Sequence, residues 1–162
     1  MKSIALLLLV PALVGAQEES VPVAKLPAEI RSAVTKRFPG TPITGAAKET
    51  EDGKTFYEVT LKVNGKNVDV TAMQSGELTL IEREISRKDL PAAVTKLLDQ
   101  KYPKAKWELV EDVMTVSGAG ETLSYYEVLL TDATRQKLEV QVAVDGSKVL
   151  KEEKKKPGDP NE

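Results

Sequence analysis

The chain has 162 residues, 23 Lys and Arg against 25 Asp and Glu, and neither histidine nor cysteine. Those two zeros exclude disulfides, thiol nucleophiles, Ser-His-Asp and Cys-His arrangements, and zinc sites built on imidazole or thiolate. A net charge of −2 and an aromatic content of 4% argue against a nucleic-acid binder, whose surface is basic and, for single strands, carries stacking aromatics.

In chain order the first element reads as an export signal at residues 1–16. Lys2 supplies the positive start, Ile4 to Val14 form an apolar run of 11 residues, and Val14-Gly15-Ala16 offer small residues for cleavage before Gln17. A spanning helix needs roughly 20 apolar residues, and this shorter run contains Pro11, so no stable membrane insertion is expected. Cleavage near Ala16 would place the mature chain in the periplasm or outside the cell. Without cysteine it must then be held together by packing alone. Residues 17–25 read as an N-terminal linker.

From residue 26 the chain repeats itself. Leu26-Pro27-Ala28 matches Leu90-Pro91-Ala92 and Phe38-Pro39-Gly40 matches Tyr102-Pro103-Lys104, both at an offset of 64; Tyr57-Glu58-Val59 matches Tyr126-Glu127-Val128 at 69, and Val68-Asp69-Val70 matches Leu138-Glu139-Val140 at 70. The drift places insertions in turns, where a duplication tolerates them. Each repeat opens with a helix: Leu26, Ile30, Val34 and Phe38 form one apolar stripe, and Leu90, Val94, Leu98 and Tyr102 repeat it. Pro27 and Pro91 suit helix starts, and Pro39 and Pro103 stop the helices. Four strands follow each helix, at about 43–49, 56–63, 67–73 and 77–84, then 106–113, 125–130, 138–143 and 147–152, with a longer loop at Thr131–Gln136. Asn64-Gly65 is a two-residue hairpin turn that sets Leu61 against Val68, Val59 against Val70 and Tyr57 against Ala72. The same logic sets Leu130 against Leu138, Val128 against Val140 and Tyr126 against Val142.

The expected fold is therefore α+β: two tandem α-β-β-β-β repeats, 26–85 and 86–152, each a four-stranded antiparallel sheet with one helix packed on one face. The units are expected to share or extend a sheet through a fixed junction at 84–89. Residues 153–162, rich in charge, Pro and Gly, read as a disordered tail.

Those motifs, taken in order and repeated, resemble the PepSY-like family, and the tandem architecture resembles the beta-lactamase-inhibitor protein grouped with it. The resemblance implies a periplasmic or secreted non-enzyme from a superfamily whose members bind or restrain proteins, notably proteases. Two departures are visible: that inhibitor carries disulfides, absent here, and the second repeat lacks an Asn-Gly turn.

One helix per unit covers one side of its sheet. The other side would display Phe56, Glu58 and Met73 in the first repeat and Tyr125, Glu127 and Leu129 in the second, apolar anchors among charges that suit a protein-binding patch. Burial of these faces against each other is the alternative. Glu58 and Glu127 are equivalent carboxylates, yet nothing in the sequence builds a catalytic cleft around them, so no catalytic residue is assigned. Oxygen donors in the turns at Asp52-Gly53, Asn64-Gly65, Asp132 and Asp145-Gly146 do not form a calcium loop, and no metal or cofactor is assigned. Trp107 reads as a core residue. The expected function is that of an exported, non-catalytic protein, a monomer, presenting a sheet face to a protein partner in the envelope such as a protease or other hydrolase. An envelope sensor for a small ligand or calcium is the alternative.

Overall fold

Pro27 and Pro91 stand immediately before the two helices, where a backbone N–H would have no helical partner. Their carbonyls accept the first helical bonds from Arg31 and Thr95, each at 3.1 Å. Helix α1 runs Ala28–Arg37 and α2 runs Ala92–Lys101. Both close in the same way, with the N–H of Phe38 on Val34 O and that of Tyr102 on Leu98 O at 2.8 Å, after which Pro39 and Pro103 forbid another turn. The structure is a computed structural model that describes residues 19–51, 53–118 and 120–155. The segment read as an export signal, 1–16, lies outside the described residues.

The strands are β1 (Glu19–Ser20), β2 (Ile43–Glu51), β3 (Lys54–Val63), β4 (Lys66–Met73), β5 (Leu78–Glu84), β6 (Lys106–Ser117), β7 (Gly120–Thr131), β8 (Lys137–Ala143) and β9 (Val149–Lys154). They form one antiparallel sheet in sequence order. Both hairpin registers expected from the alternation are present, Val59 opposite Val70 and Val128 opposite Val140 among them. A slip of one residue would turn every Val of these strands to the wrong face.

The two units extend one sheet, in line with the sequence expectation: β5 pairs with β6 from Leu80↔Thr115 to Glu84↔Glu111. The edges that two separate sheets would expose thereby satisfy each other. Part of the segment read as a linker forms β1, with Glu19 opposite Lys48. At the other end β9 reaches Lys154, and the Lys155 N–H still bonds Lys137 O at 3.1 Å. The start of the expected tail is thus in the sheet, while 156–162 lie outside the described residues.

Both helices lie on one face, each over its own core. Leu26, Ile30 and Val34 pack on Val59, Leu61, Val68, Val70, Ala72 and Ile81. Leu90, Val94, Leu98 and Tyr102 pack on Val110, Tyr126, Val128, Leu130, Leu138, Val140 and Val142. A fully buried aliphatic side chain contributes roughly 1.5–3 kcal/mol, so these matched stripes supply the stability that disulfides would otherwise give. Polar contacts bridge the two halves: Arg83 holds Asp112 with two bonds of 2.8 and 2.9 Å across β5–β6, and Arg37 of α1 reaches Glu121 of β7 at 2.6 Å. Trp107 is partly buried at the edge of the second core, with the Arg87 guanidinium 3.9 Å from its ring centroid.

Candidate functional site

The sheet face turned away from the helices is set by strict alternation. On β3 Val59 and Leu61 enter the core, so Glu58 and Thr60 point to the other side; on β7 Val128 and Leu130 enter the core, so Glu127 and Leu129 do the same. The register then carries two rows across the centre of this face. In one, Thr60 faces Asp69, Asp69 faces Glu82, Glu82 faces Val113 and Val113 faces Tyr125. In the next, Glu84 faces Glu111, Glu111 faces Glu127 and Glu127 faces Gln141. A trough of about 460 Å³ lies over these rows, lined among others by Glu58, Asp69, Glu82, Glu111, Glu127, Leu129 and Glu139. Residues of both halves line it, from Thr60 and Asn67 on one side to Lys137 and Lys155 on the other, and Val113 and Glu111 between them are buried.

Charge in the trough is unevenly compensated. On the β7–β9 side the Gln141 amide donates to Glu127 Oε2 at 3.0 Å, Lys155 pairs with Glu139 at 2.5 Å, and Lys137 lies 3.5 Å from Glu108. At the centre, oxygens of Glu82, Glu111 and Glu127 lie within 4.8 Å of one another. Among the described residues no hydrogen bond or ion pair reaches the carboxylates of Glu82 or Glu111. Burial pushes the Glu111 carboxyl up to about 8, and the nearby charges of Glu127, Asp69, Glu58 and Glu139 push the same way. Glu82 is raised well above the ordinary carboxylate range by burial and then by Glu127, Glu111, Glu58 and Asp69. Glu127 is also raised, by burial and Glu139, against the opposing pull of Gln141, Lys155 and Lys151. Tyr125 follows, its phenol pushed up by burial and by the same carboxylates.

Of the residues singled out from the sequence, Glu58, Glu127 and Leu129 line the trough. Phe56 and Met73 are cross-strand partners, as are Tyr125 and Ala143. Phe56, Met73, Tyr125 and Leu129 are each partly buried, not exposed. Leu150 is the exposed large apolar residue among those described. The open face is thus an acidic concavity with apolar flanks, where the alternation alone suggested protruding anchors. Glu82 and Glu111 went unrecognised because they sit on β5 and β6, strands whose pairing joins the two repeats. The signal for Glu82 was the alternation of Leu80, Glu82 and Glu84 against Ile81 and Arg83. Around Glu111 the alternation is blurred by irregularities at Trp107/Leu109 and Val113/Met114.

The side chains that line the trough are mostly carboxylates, set on the strands of one sheet. No helix among the described residues is long and apolar enough to cross a membrane. The chain is similar to several solved structures. A proposed periplasmic protein from Bacteroides eggerthii gives a TM-score of 0.63 at 16% identity, covering 79% of this chain and 88% of that one. A DUF2874 family protein from Bacteroides uniformis gives 0.63 at 17% identity with the same coverage, 79% and 88%. A BLIP-like protein from Bacteroides fragilis gives 0.56 at 18% identity, covering 82% and 88%; BLIP stands for beta-lactamase-inhibitor protein. At such identities the likeness is one of fold. No curated protein matches the sequence. Two family models do: the peptidase propeptide and YPEB domain, PepSY, over residues 26–73, and the beta-lactamase-inhibitor-like PepSY-like domain over residues 56–147. The second match spans more than half of the chain, and the protein belongs to the PepSY-like family.

Proposed function

We propose that this is an exported, non-catalytic binding protein that offers its helix-free sheet face to a protein partner in the cell envelope, and that the partner presents a cationic segment to the acidic trough. The single observation that carries this reading is the concentration of carboxylates from β3 to β8 in one concavity of about 460 Å³. Such a field steers and orients a positively charged partner more than it adds raw affinity. The half-buried Phe56, Met73 and Leu129 offer apolar area around it. Restraint of a protease or other hydrolase fits this geometry, since a rigid sheet face can occlude a partner's site without performing chemistry. The export signal at 1–16 and the PepSY-like membership support a periplasmic or secreted location. The repeated order of helix and four strands, with matching core stripes, supports a duplicated unit.

A pull-down from an envelope fraction tests the reading. Thr60→Lys/Leu129→Lys places two positive charges in the trough and is expected to lose the partner that the wild type captures, and Phe56→Ala/Tyr125→Ala to weaken its capture. Lys96→Glu, on the exposed side of α2, should retain it. Equal capture by the wild type and the trough variant would sink the proposal.

A further inference from the structure

The β6–β7 hairpin divides its apolar side chains between the two cores. Met114 and Leu123 face each other across it, yet Met114 packs against the first core and Leu123 against the second. Val116, farther along β6, also packs against the first core. Opposite Val116, Glu121 of β7 accepts a hydrogen bond of 2.6 Å from Arg37 Nε at the end of α1. Nearby, Arg83 of β5 holds Asp112 of β6 with two bonds, and the Arg83 and Glu121 charges attract each other.

The borrowing runs one way. The first core, from Leu26 to Ile81, takes Met114 and Val116 from the second half. Among the described residues the second core draws nothing from before Ile85, at the junction between the halves. The second core is also the larger, with 11 buried residues against 9. Units of about 60 residues are marginal alone, because they bury a modest share of their surface. Folded proteins can open in contiguous pieces, the weakest first.

We propose that the β6–β7 hairpin is a strap that makes folding of the first half conditional on the second, while the second half keeps its fold without the first. Met114 and Val116 close one flank of the first core, and the Arg37–Glu121 pair ties the end of α1 to β7. With the strap unseated, that flank meets water and β5 loses the strand that covers its edge. Loss of the first half leaves the second with all its buried apolar residues and one uncovered edge, that of β6. Glu58, Thr60, Asn67 and Asp69, the β3 and β4 share of the trough, therefore form a wall only while the strap is seated. A contact on the helix side thus governs the opposite face, whatever meets the trough there.

Backbone amide NMR of the full chain tests this. Met114→Asp/Val116→Asp sets two charges against the first core, where burial without a partner is costly. The dispersed signals of α1, β3 and β4 are expected to collapse to unfolded positions, while those of α2, β7 and β8 persist. Trp107, at the edge of the second core, should keep its native fluorescence in that variant. Val128→Asp, inside the second core, is expected to collapse the signals of both halves and to lose that fluorescence. The proposal is overturned if the strap variant keeps every native signal, or if it loses those of both halves together. Native signals from α1, β3 and β4 in Val128→Asp would overturn it as well.

Discussion

Replacing Gly146 with alanine is expected to destabilise the protein by at least about 3 kcal/mol, lowering Tm by roughly 6–12 °C. Gly146 lies in the β8–β9 turn with φ at +69°, and an added Cβ would stand 2.6 Å from both Ala93 C and Val94 N in the first turn of α2. Two effects add. The left-handed backbone costs an L-residue about 1–2 kcal/mol, and the clash is with helix backbone, which cannot rotate away as a flexible side chain would. Relief requires α2 to lift from the core where Val94 and Leu98 are fully buried. Gly76 occupies the same place over α1, with φ at +87° and a Cβ position 2.9 Å from Glu29 O. Its alanine variant is expected to lose less, because the approach is less tight. Urea unfolding of both variants checks this, and a loss below about 1 kcal/mol for Gly146→Ala would refute the close helix–turn seating.

The second large effect is expected from Glu111→Gln, and it stabilises. The folded-state pKa of Glu111 is pushed up to about 8, from an ordinary value of 4.5, by burial and by Glu127, Asp69, Glu58 and Glu139. For an acid shifted in this direction the folded state binds the proton more tightly than the unfolded chain does. The associated stability is complete below about 4.5 and is lost as pH rises toward about 8. In chelator the wild type is therefore expected to lose stability steadily from mildly acidic to mildly alkaline pH. Glu111→Gln keeps the shape and discards the titration, so its profile should be flatter. At pH 8 or above it should exceed the wild type by roughly 3 kcal/mol, or about 6–12 °C in Tm. Glu82 and Glu127, raised by the same crowding, leave some slope behind. Thermal melts across the pH range in chelator decide the matter, and identical profiles for the two proteins would contradict it.

The sequence made the helices and hairpins legible because each rests on local signals. Pro27 and Pro91 mark starts, Pro39 and Pro103 mark stops, and Asn64-Gly65 fixes a register that the alternation of Val59, Leu61, Val68 and Val70 then confirms on both strands. The recurrence of these motifs along the chain doubled that signal. What was not legible depends on pairing between distant segments. The union of β5 with β6 follows from no turn, since α2 intervenes, and it is this union that brings Glu82 beside Glu111. The site was read halfway for the same reason: Glu58, Glu127 and Leu129 lie on hairpins whose facing could be counted, whereas Glu111 sits in Val110-Glu111-Asp112-Val113, where no clean alternation shows which side faces the helices. Of its neighbours, Asp112 turns to the helix side, where Arg83 holds it, and Glu111 turns to the trough.

The central claim is that the face opposite the helices is the working surface of this protein. A photo-crosslinking residue placed at Thr60, in the trough, and in a separate protein at Lys96, on α2, tests it most directly in an envelope fraction. The account predicts a covalent adduct of one defined protein from position 60 that weakens as salt rises, in keeping with an acidic trough meeting a cationic segment, and no adduct from position 96. An adduct formed from position 96 and not from position 60 would contradict it.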